Sequence, residues 1–321
     1  MKIEELNFKF EEKNVEEGNF DIEKWRLENP VDYFKAVSAM LSAPNITPQV
    51  PREIAIDTAF EVLYKTFRLY IPDVLYKYYS LTDDDELNSK KFETLKNQLV
   101  YMSNINDFND PFDGKAFFYN PAMLKKEKRL KKIKGKIIDD FTVFHKGAAF
   151  TANDMQSMPM WAHYANNHYG FCVSYDMTDV RNLDLKSCTF PVQYTNERLD
   201  ITSYMKTYVE MINQTIDKDK KYGVKKHIIY DMSLIYLSAY LCNIKHSTWE
   251  YEKEFRCTMG VNSTGMPYAK AYPKAIYIGL NCAKDNEKKL LKIAKELKIP
   301  IYKMVFNDLS GLYKFEIKQK H

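Results

Sequence analysis

Apolar positions fall at helical spacing in some stretches of this chain and alternate, or run together, in others, and the two textures mark its elements. Asn29-Pro30 offers a helix N-cap followed by proline at the first helical position, and Phe34, Val37 and Leu41 then recur along one side until Pro44. A second helix is predicted from about Arg52 to Tyr70, with Ala55, Ala59, Val62, Leu63 and Phe67 on one side and Ile71-Pro72 closing it. From Val74 the texture changes. Val74 to Tyr79 reads as a strand, Phe92 to Leu99 as a helix, and Leu99 to Ser103 as a strand again. Further strands are expected at 148–151, 170–175, 193–194, 249–257, 275–279 and 313–317, and helices at 158–167, 203–216, 224–245 and 284–298.

This order predicts an α+β protein: a mixed, mostly antiparallel sheet flanked by helices, with an N-terminal helical extension over residues 1–72 and an α+β domain over 73–321. The extension is expected to pack on the main domain, with regulation or oligomerisation as the competing role. Residues 1–20 are charged and weakly patterned, and there is no internal repeat and no low-complexity linker. Between Asn106 and Gly114 the chain is dense in residues that bond their own backbone, which predicts a structured loop.

Composition adds bounds. A chain of 321 residues with 45% hydrophobic and 14% aromatic residues has ample material for a packed core. The net charge of +4 is too small to argue for nucleic acid by itself. Five cysteines with no Cys-x-x-Cys pair, an acidic N-terminus unlike a signal peptide, and no apolar run of spanning length give the expectation of a cytoplasmic protein without a membrane segment. The most apolar stretch, 228–244, carries Asp231, Asn243, serines and tyrosines and reads as a buried helix.

Charge is concentrated in two places. Residues 124–136 hold eight basic side chains among Leu124, Leu130 and Ile133, the pattern of a basic amphipathic helix that is either a solvated face or a dock for nucleic acid or an acidic protein. The segment Trp249-Glu250-Tyr251-Glu252-Lys253-Glu254-Phe255-Arg256, read as one extended strand, puts three acids and Arg256 on one face and three aromatic residues on the other. Glu252 and Glu254 would then stand about 7 Å apart and point the same way, so that both reach one substrate. An edge strand with a solvated acidic face fits the same letters.

In Met160 to Gly170, helical geometry places Trp161, Tyr164 and His168 on one face, suited to stacking a planar heterocycle or to filling a core. A zinc site from His163, His168 and Cys172 is disfavoured because the two histidines diverge on a helix. No Gly-x-Gly-x-x-Gly, phosphate-binding loop, Gly-x-Ser-x-Gly elbow or His-Glu-x-x-His occurs.

The ordered set Leu75-Tyr76-Lys77-Tyr78, Phe108-Asn109-Asp110-Pro111-Phe112-Asp113, Met160-Trp161-Ala162-His163-Tyr164-Ala165, His168-Tyr169-Gly170, Lys245 and Trp249 to Arg256 resembles the bacterial domain of unknown function 2971, over roughly residues 73–321. Lys77 stands where an arginine is common in that family and Asp113 where a glutamate is common. A looser similarity links the set to the three-part site of ADP-ribosyltransferases: a tyrosine-and-basic first strand, a Phe-Thr strand running into an aromatic helix, and a late Glu-x-Glu. That similarity implies NAD as substrate, used for ribosyl transfer or glycohydrolysis, with a nucleic acid or protein acceptor and a setting as a toxin or phage-defence effector. By it, Tyr76, Lys77 or Tyr78 would sit at the nicotinamide-ribose end, with Thr151 supporting the site. Trp161 or Tyr164 would wall the nicotinamide pocket, and His168 and Arg256 would line the cleft. Glu254 would hold the ribose hydroxyl and Glu252 would orient the acceptor. No metal or tightly held cofactor is implied.

Two other functions compete. One is a non-catalytic module that binds nucleic acid or protein through the 124–136 helix and the aromatic face. The other is a metal-dependent nuclease or phosphohydrolase using Asp107, Asp110, Asp113 and the 250–254 acids.

Overall fold

In the computed structural model, residues 21–126, 130–131, 134–137, 140–224, 232–260 and 267–320 are described. Contacts divide the chain into two units, which it enters and leaves more than once. The first gathers Met1–Leu69, Asn104–His145 and Gln193–Ser247; the second gathers Tyr70–Ser103, Lys146–Val192 and Thr248–His321. Each unit thus gathers segments that are far apart in the chain. Periodicity within a segment carries no information about which distant segment it meets.

The second unit is built on a sheet of nine described strands, eight of them on its main path: β1 Val74–Tyr79, β2 His145–Thr151, β3 Phe171–Asp176, β4 Thr189–Pro191, β5 Glu254–Gly260, β6 Pro273–Ile278, β7 Ile301–Val305 and β8 Glu316–Lys320. Their order across the sheet is β8-β7-β6-β3-β1-β2-β5-β4, and the ninth, Ser103–Asn104, pairs with β2 at its side. The pairs β1 with β3, β1 with β2, β3 with β6, β4 with β5 and β7 with β8 are antiparallel, and β6 with β7 is parallel. The sheet is therefore mixed and mostly antiparallel, as the order of elements predicts. Strand β1 lies inside it and aligns over its full length with β3, from Val74 opposite Asp176 to Tyr79 opposite Phe171.

Alternation along the strands separates two cores. On one face Leu75, Phe150, Val173, Tyr175, Cys257, Ile276 and Ile278 pack under the helices Asp85–Lys96 and Lys284–Leu297, which contribute Phe92, Leu95, Leu290 and Ile293. On the other face Tyr78, Cys172, Ala275, Tyr277 and Met304 pack with Trp161 and Phe315. All five cysteines are free thiols, and burial pushes the Cys172 thiol well above its ordinary value.

The first unit is mainly helical. Its helices are Ile22–Glu28, Tyr33–Ile46, Arg52–Arg68, Thr202–Lys221 and Ser233–Leu241, and its core includes an aromatic cluster of Tyr33, Phe67 and Tyr240 with ring centroids 4.6 to 5.5 Å apart. Two short parallel pairs join Gln193–Thr195 to Ile244–His246 and Phe117–Phe118 to Leu199–Asp200. Among the described residues no helix is long and apolar enough to cross a membrane.

Several expectations are corrected. Asn29 closes the helix Ile22–Glu28, with its N–H and side chain both donating to the Trp25 carbonyl, and Asp32 caps the next helix instead. Pro44 lies inside that helix. It removes a donor only near the C-terminal turn, where the Thr47 N–H and hydroxyl both bond the Ala43 carbonyl at 3.0 Å. Among the described residues of the basic stretch, Leu124 ends the helix Pro121–Leu124, and Lys125, Lys126, Leu130, Lys131, Lys134 and Gly135 form turns, with Lys134 and Gly135 left-handed. Closely spaced like charges repel, and of its apolar residues only Leu124 is fully buried among those described. Residues 127–129, 132–133 and 225–231 of the expected helices, and 1–20, lie outside the described residues. Ser233–Leu241 is the described helix of the 224–245 stretch.

Candidate functional site

Nine of the ten residues singled out by sequence lie on one side of the second unit's sheet. On β1, alternation turns Tyr76 and Tyr78 toward the face of Trp161 and Tyr277. Phe150 packs into the opposite core, which leaves Thr151 on the same face as Tyr76, its register partner across the β1–β2 pair. On β5, Phe255 and Cys257 take the opposite core, so Glu254 and Arg256 join Tyr76 and Thr151.

Lys77 is the exception. It points to the other face, where its ammonium donates to the Ala149 carbonyl at 2.9 Å and lies 5.5 and 5.6 Å from the Phe150 and Tyr79 ring centres. Burial pushes its pKa down to about 8, with the Glu254 charge working in the opposite direction. The sequence grouping of Lys77 with Tyr76 and Tyr78 fails because adjacent strand residues face opposite ways.

The 249–256 segment is not one strand. Ser247–Glu252 is a short 3-10 turn, Lys253 takes a left-handed backbone at φ 45°, and the strand starts at Glu254. The break is held from β2: the Ala152 N–H donates to the Lys253 carbonyl at 3.0 Å, and the Asn153 side chain donates to the Tyr251 carbonyl at 2.7 Å. A lysine carries no turn signal, and these partners lie some hundred residues upstream. The two acids therefore have different surroundings. Glu254 is locked to Arg256, whose Nε and Nη2 donate to its two oxygens at 2.6 and 3.2 Å, with both side chains almost fully buried. Glu252 is also buried, and its carboxylate accepts from the Tyr164 hydroxyl while its carbonyl accepts from Thr151 Oγ1 at 2.5 Å.

The aromatic wall forms by an unexpected route. The helix runs only Met158–Tyr164, and Asn166, Asn167 and His168 follow with φ of 47°, 51° and 68°. His168 nonetheless stacks on Trp161, with centroids 5.1 Å apart and planes 12° from parallel, and Phe315 meets its edge at 5.2 Å. Three left-handed residues in a row cost free energy that the surroundings offset. Asn281 donates from its backbone to the His168 carbonyl and from its side chain to the Asn167 carbonyl, each at 3.0 Å. Gly170 and Gly279 are needed there: a Cβ on Gly170 would sit 1.9 Å from the Tyr79 carbonyl oxygen, and one on Gly279 2.2 Å from that of His168. Tyr78 stands edge-on to Trp161 at 5.1 Å, and the Trp161 ring N–H donates to the Met155 carbonyl at 2.8 Å. Burial pushes Tyr76 up to about 12 and lowers His168, so both are neutral at physiological pH.

Sequence reasoning missed Asn153 and Asn281, whose roles depend on backbone groups distant in the chain. It also missed a pocket of about 190 Å³ in the first unit, lined by Phe112, Lys115, Thr195, Arg198, Lys245 and His246 among others. Of these, Phe112 and Lys245 do belong to the motifs quoted above. Among the described residues no group of three or more His, Cys, Asp or Glu is placed to hold a metal ion.

Residues 160–257 match the model of a family described as protein of unknown function (DUF2971). The match supports the resemblance read from the motifs and covers Trp161, Tyr164, His168, Lys245, Glu252, Glu254 and Arg256, while Tyr76 and Thr151 fall outside it. No curated protein and no solved structure matches the chain.

Proposed function

We propose that the chain is a nucleotide-using enzyme of the ADP-ribosyltransferase kind, which breaks NAD at the bond between nicotinamide and ribose and transfers the ribosyl group to water or to an acceptor. The observation that carries this reading is the convergence on Glu252: Thr151 bonds its backbone, Tyr164 bonds its carboxylate, and Tyr76 stands opposite Thr151 on the same sheet face. Three sequence-distant parts of the expected site thus connect, directly or through Thr151, to one residue.

In this reading the glycosidic electron pair leaves with the nicotinamide nitrogen, cancelling its pyridinium charge, and positive charge develops at the anomeric carbon. A fixed carboxylate in a largely dry setting stabilises that charge more in the transition state than in the ground state. Glu252 takes this role, in place of Glu254, because both Glu254 oxygens are engaged by Arg256. The incoming hydroxyl then bonds the anomeric carbon and releases its proton to Glu252. The half-buried Tyr164 and His168 would offer ring surface to the nicotinamide, with the fully buried Trp161 packed against His168 as support. Lys77 has no part in it.

The test is nicotinamide release from NAD by the purified chain with cell extract, comparing the wild type with Glu252→Gln and Glu254→Gln. Glu252→Gln is expected to lose about 10²- to 10³-fold in rate while keeping its circular dichroism spectrum. No release by the wild type, or full release by both variants, overturns the reading. A loss confined to Glu254→Gln returns the role to the second acid.

A further inference from the structure

The first unit has a second constellation that the reaction above does not use. Phe112 and Lys245 lie in two separate motifs and line one pocket, next to the two short parallel ladders of Gln193–Thr195 with Ile244–His246 and of Phe117–Phe118 with Leu199–Asp200. We propose that this pocket is a binding site for a nucleoside phosphate.

Its charge fits a phosphate. Lys115, Arg198 and Lys245 line it against one acid, Glu197. Arg198 uses its Nε to donate to the Lys115 carbonyl at 2.6 Å and lies over the Phe118 ring with 5.0 Å to the centre. Those two contacts fix the guanidinium plane, and the terminal amino groups keep their donors for a bidentate partner, the geometry that phosphate oxygens match. Lys115 is anchored at the same rim through its bond to the Pro111 carbonyl at 2.7 Å. Lys245 lines the same pocket and is 6% exposed.

Its aromatic wall fits a base. Phe112 and His246 have ring centroids 6.3 Å apart and planes inclined by 27°, giving near-parallel ring faces against which a planar heterocycle can stack. Phe112 is 54% exposed, an unusual cost for a phenyl ring on a loop whose Asp110 and Asp113 are buried, and stacking on a ligand would cover it. A cavity of about 190 Å³ holds part of a nucleotide and leaves the remainder in the open mouth, which suits a small ligand better than a polymer strand.

The test is calorimetric titration of the full chain with ADP and, separately, with inorganic pyrophosphate. ADP is expected to bind at least tenfold more tightly than pyrophosphate. Arg198→Gln should weaken ADP at least tenfold, and Phe112→Leu should bring ADP down toward pyrophosphate. Both substitutions are at exposed positions and leave folding intact. Glu252→Gln should bind ADP as the wild type does, which separates this pocket from the site of ribosyl transfer. Absence of ADP binding at millimolar concentration, equal binding of ADP and pyrophosphate, or binding that Arg198→Gln and Phe112→Leu leave unchanged overturns the proposal.

Discussion

The ionic groups of the two units are held in opposite ways. On the sheet of the second unit, Arg256 and Glu254 are 0% and 3% exposed and bind each other through two hydrogen bonds. In the pocket of the first unit, Arg198 and Lys115 are exposed and bond backbone carbonyls. A buried pair is costly to break because each partner was desolvated to make it, whereas an exposed cation remains hydrated and loses little when removed. The same residue type is therefore enclosed against its own counter-ion in one unit and left at the surface in the other.

The strongest challenge to this contrast is Arg256→Ala, which leaves the Glu254 carboxylate buried without its fork. Urea unfolding should show a loss of about 3–5 kcal/mol, and the double replacement Glu254→Leu with Arg256→Met should recover most of it. A loss below about 1 kcal/mol would show that water reaches the pair and that the contrast is false.

Lys77 sharpens the comparison, since it is a cation held by a carbonyl, as in the pocket, yet enclosed in a core. Its folded pKa of about 8 lies below the ordinary 10.5. Between those values the unfolded chain holds a proton that the folded chain has released, so stability rises with pH across the window. Below pH 8 the cost of the buried charge is fully present. Relative to Lys77→Met, the wild type should gain stability as unfolding is measured at pH 7.5, 9 and 10.5, and a constant difference would contradict the burial of the ammonium. The smallest effect is expected for Arg198→Gln, below about 0.5 kcal/mol in the same assay. A larger loss would mean that the pocket arginine is structural.

Much of the fold was legible because strand and helix periods are local properties. Val74–Tyr79, Arg52–Arg68, Phe171–Asp176 and Lys284–Leu297 lie within a few residues of their expected bounds. The mixed, mostly antiparallel sheet follows from their order. What failed was set by distant backbone partners. Lys253 turns left-handed against Ala152, and Asn167 and His168 do so against Asn281. The expected basic helix overlooked that amphipathic spacing needs a surface to pack on. For the candidate site, residue types on one sheet face were legible. The division between Glu252 and Glu254 was not, because two acids spaced by one residue look equivalent until a backbone angle separates them.

The three left-handed residues after Tyr164 carry one more consequence, for length. The Trp161 ring meets His168 seven positions later, and Gly170 must arrive against the Tyr79 carbonyl two positions after that. One end is the stacked ring pair, and at the other even a Cβ on Gly170 would lie 1.9 Å from the Tyr79 carbonyl oxygen. The interval from Trp161 to Gly170 therefore works as a ruler: one residue more or fewer would unseat either the stacked ring or the glycine, whatever its identity. Relatives that keep this arrangement are expected to keep the count, even where the letters between have changed.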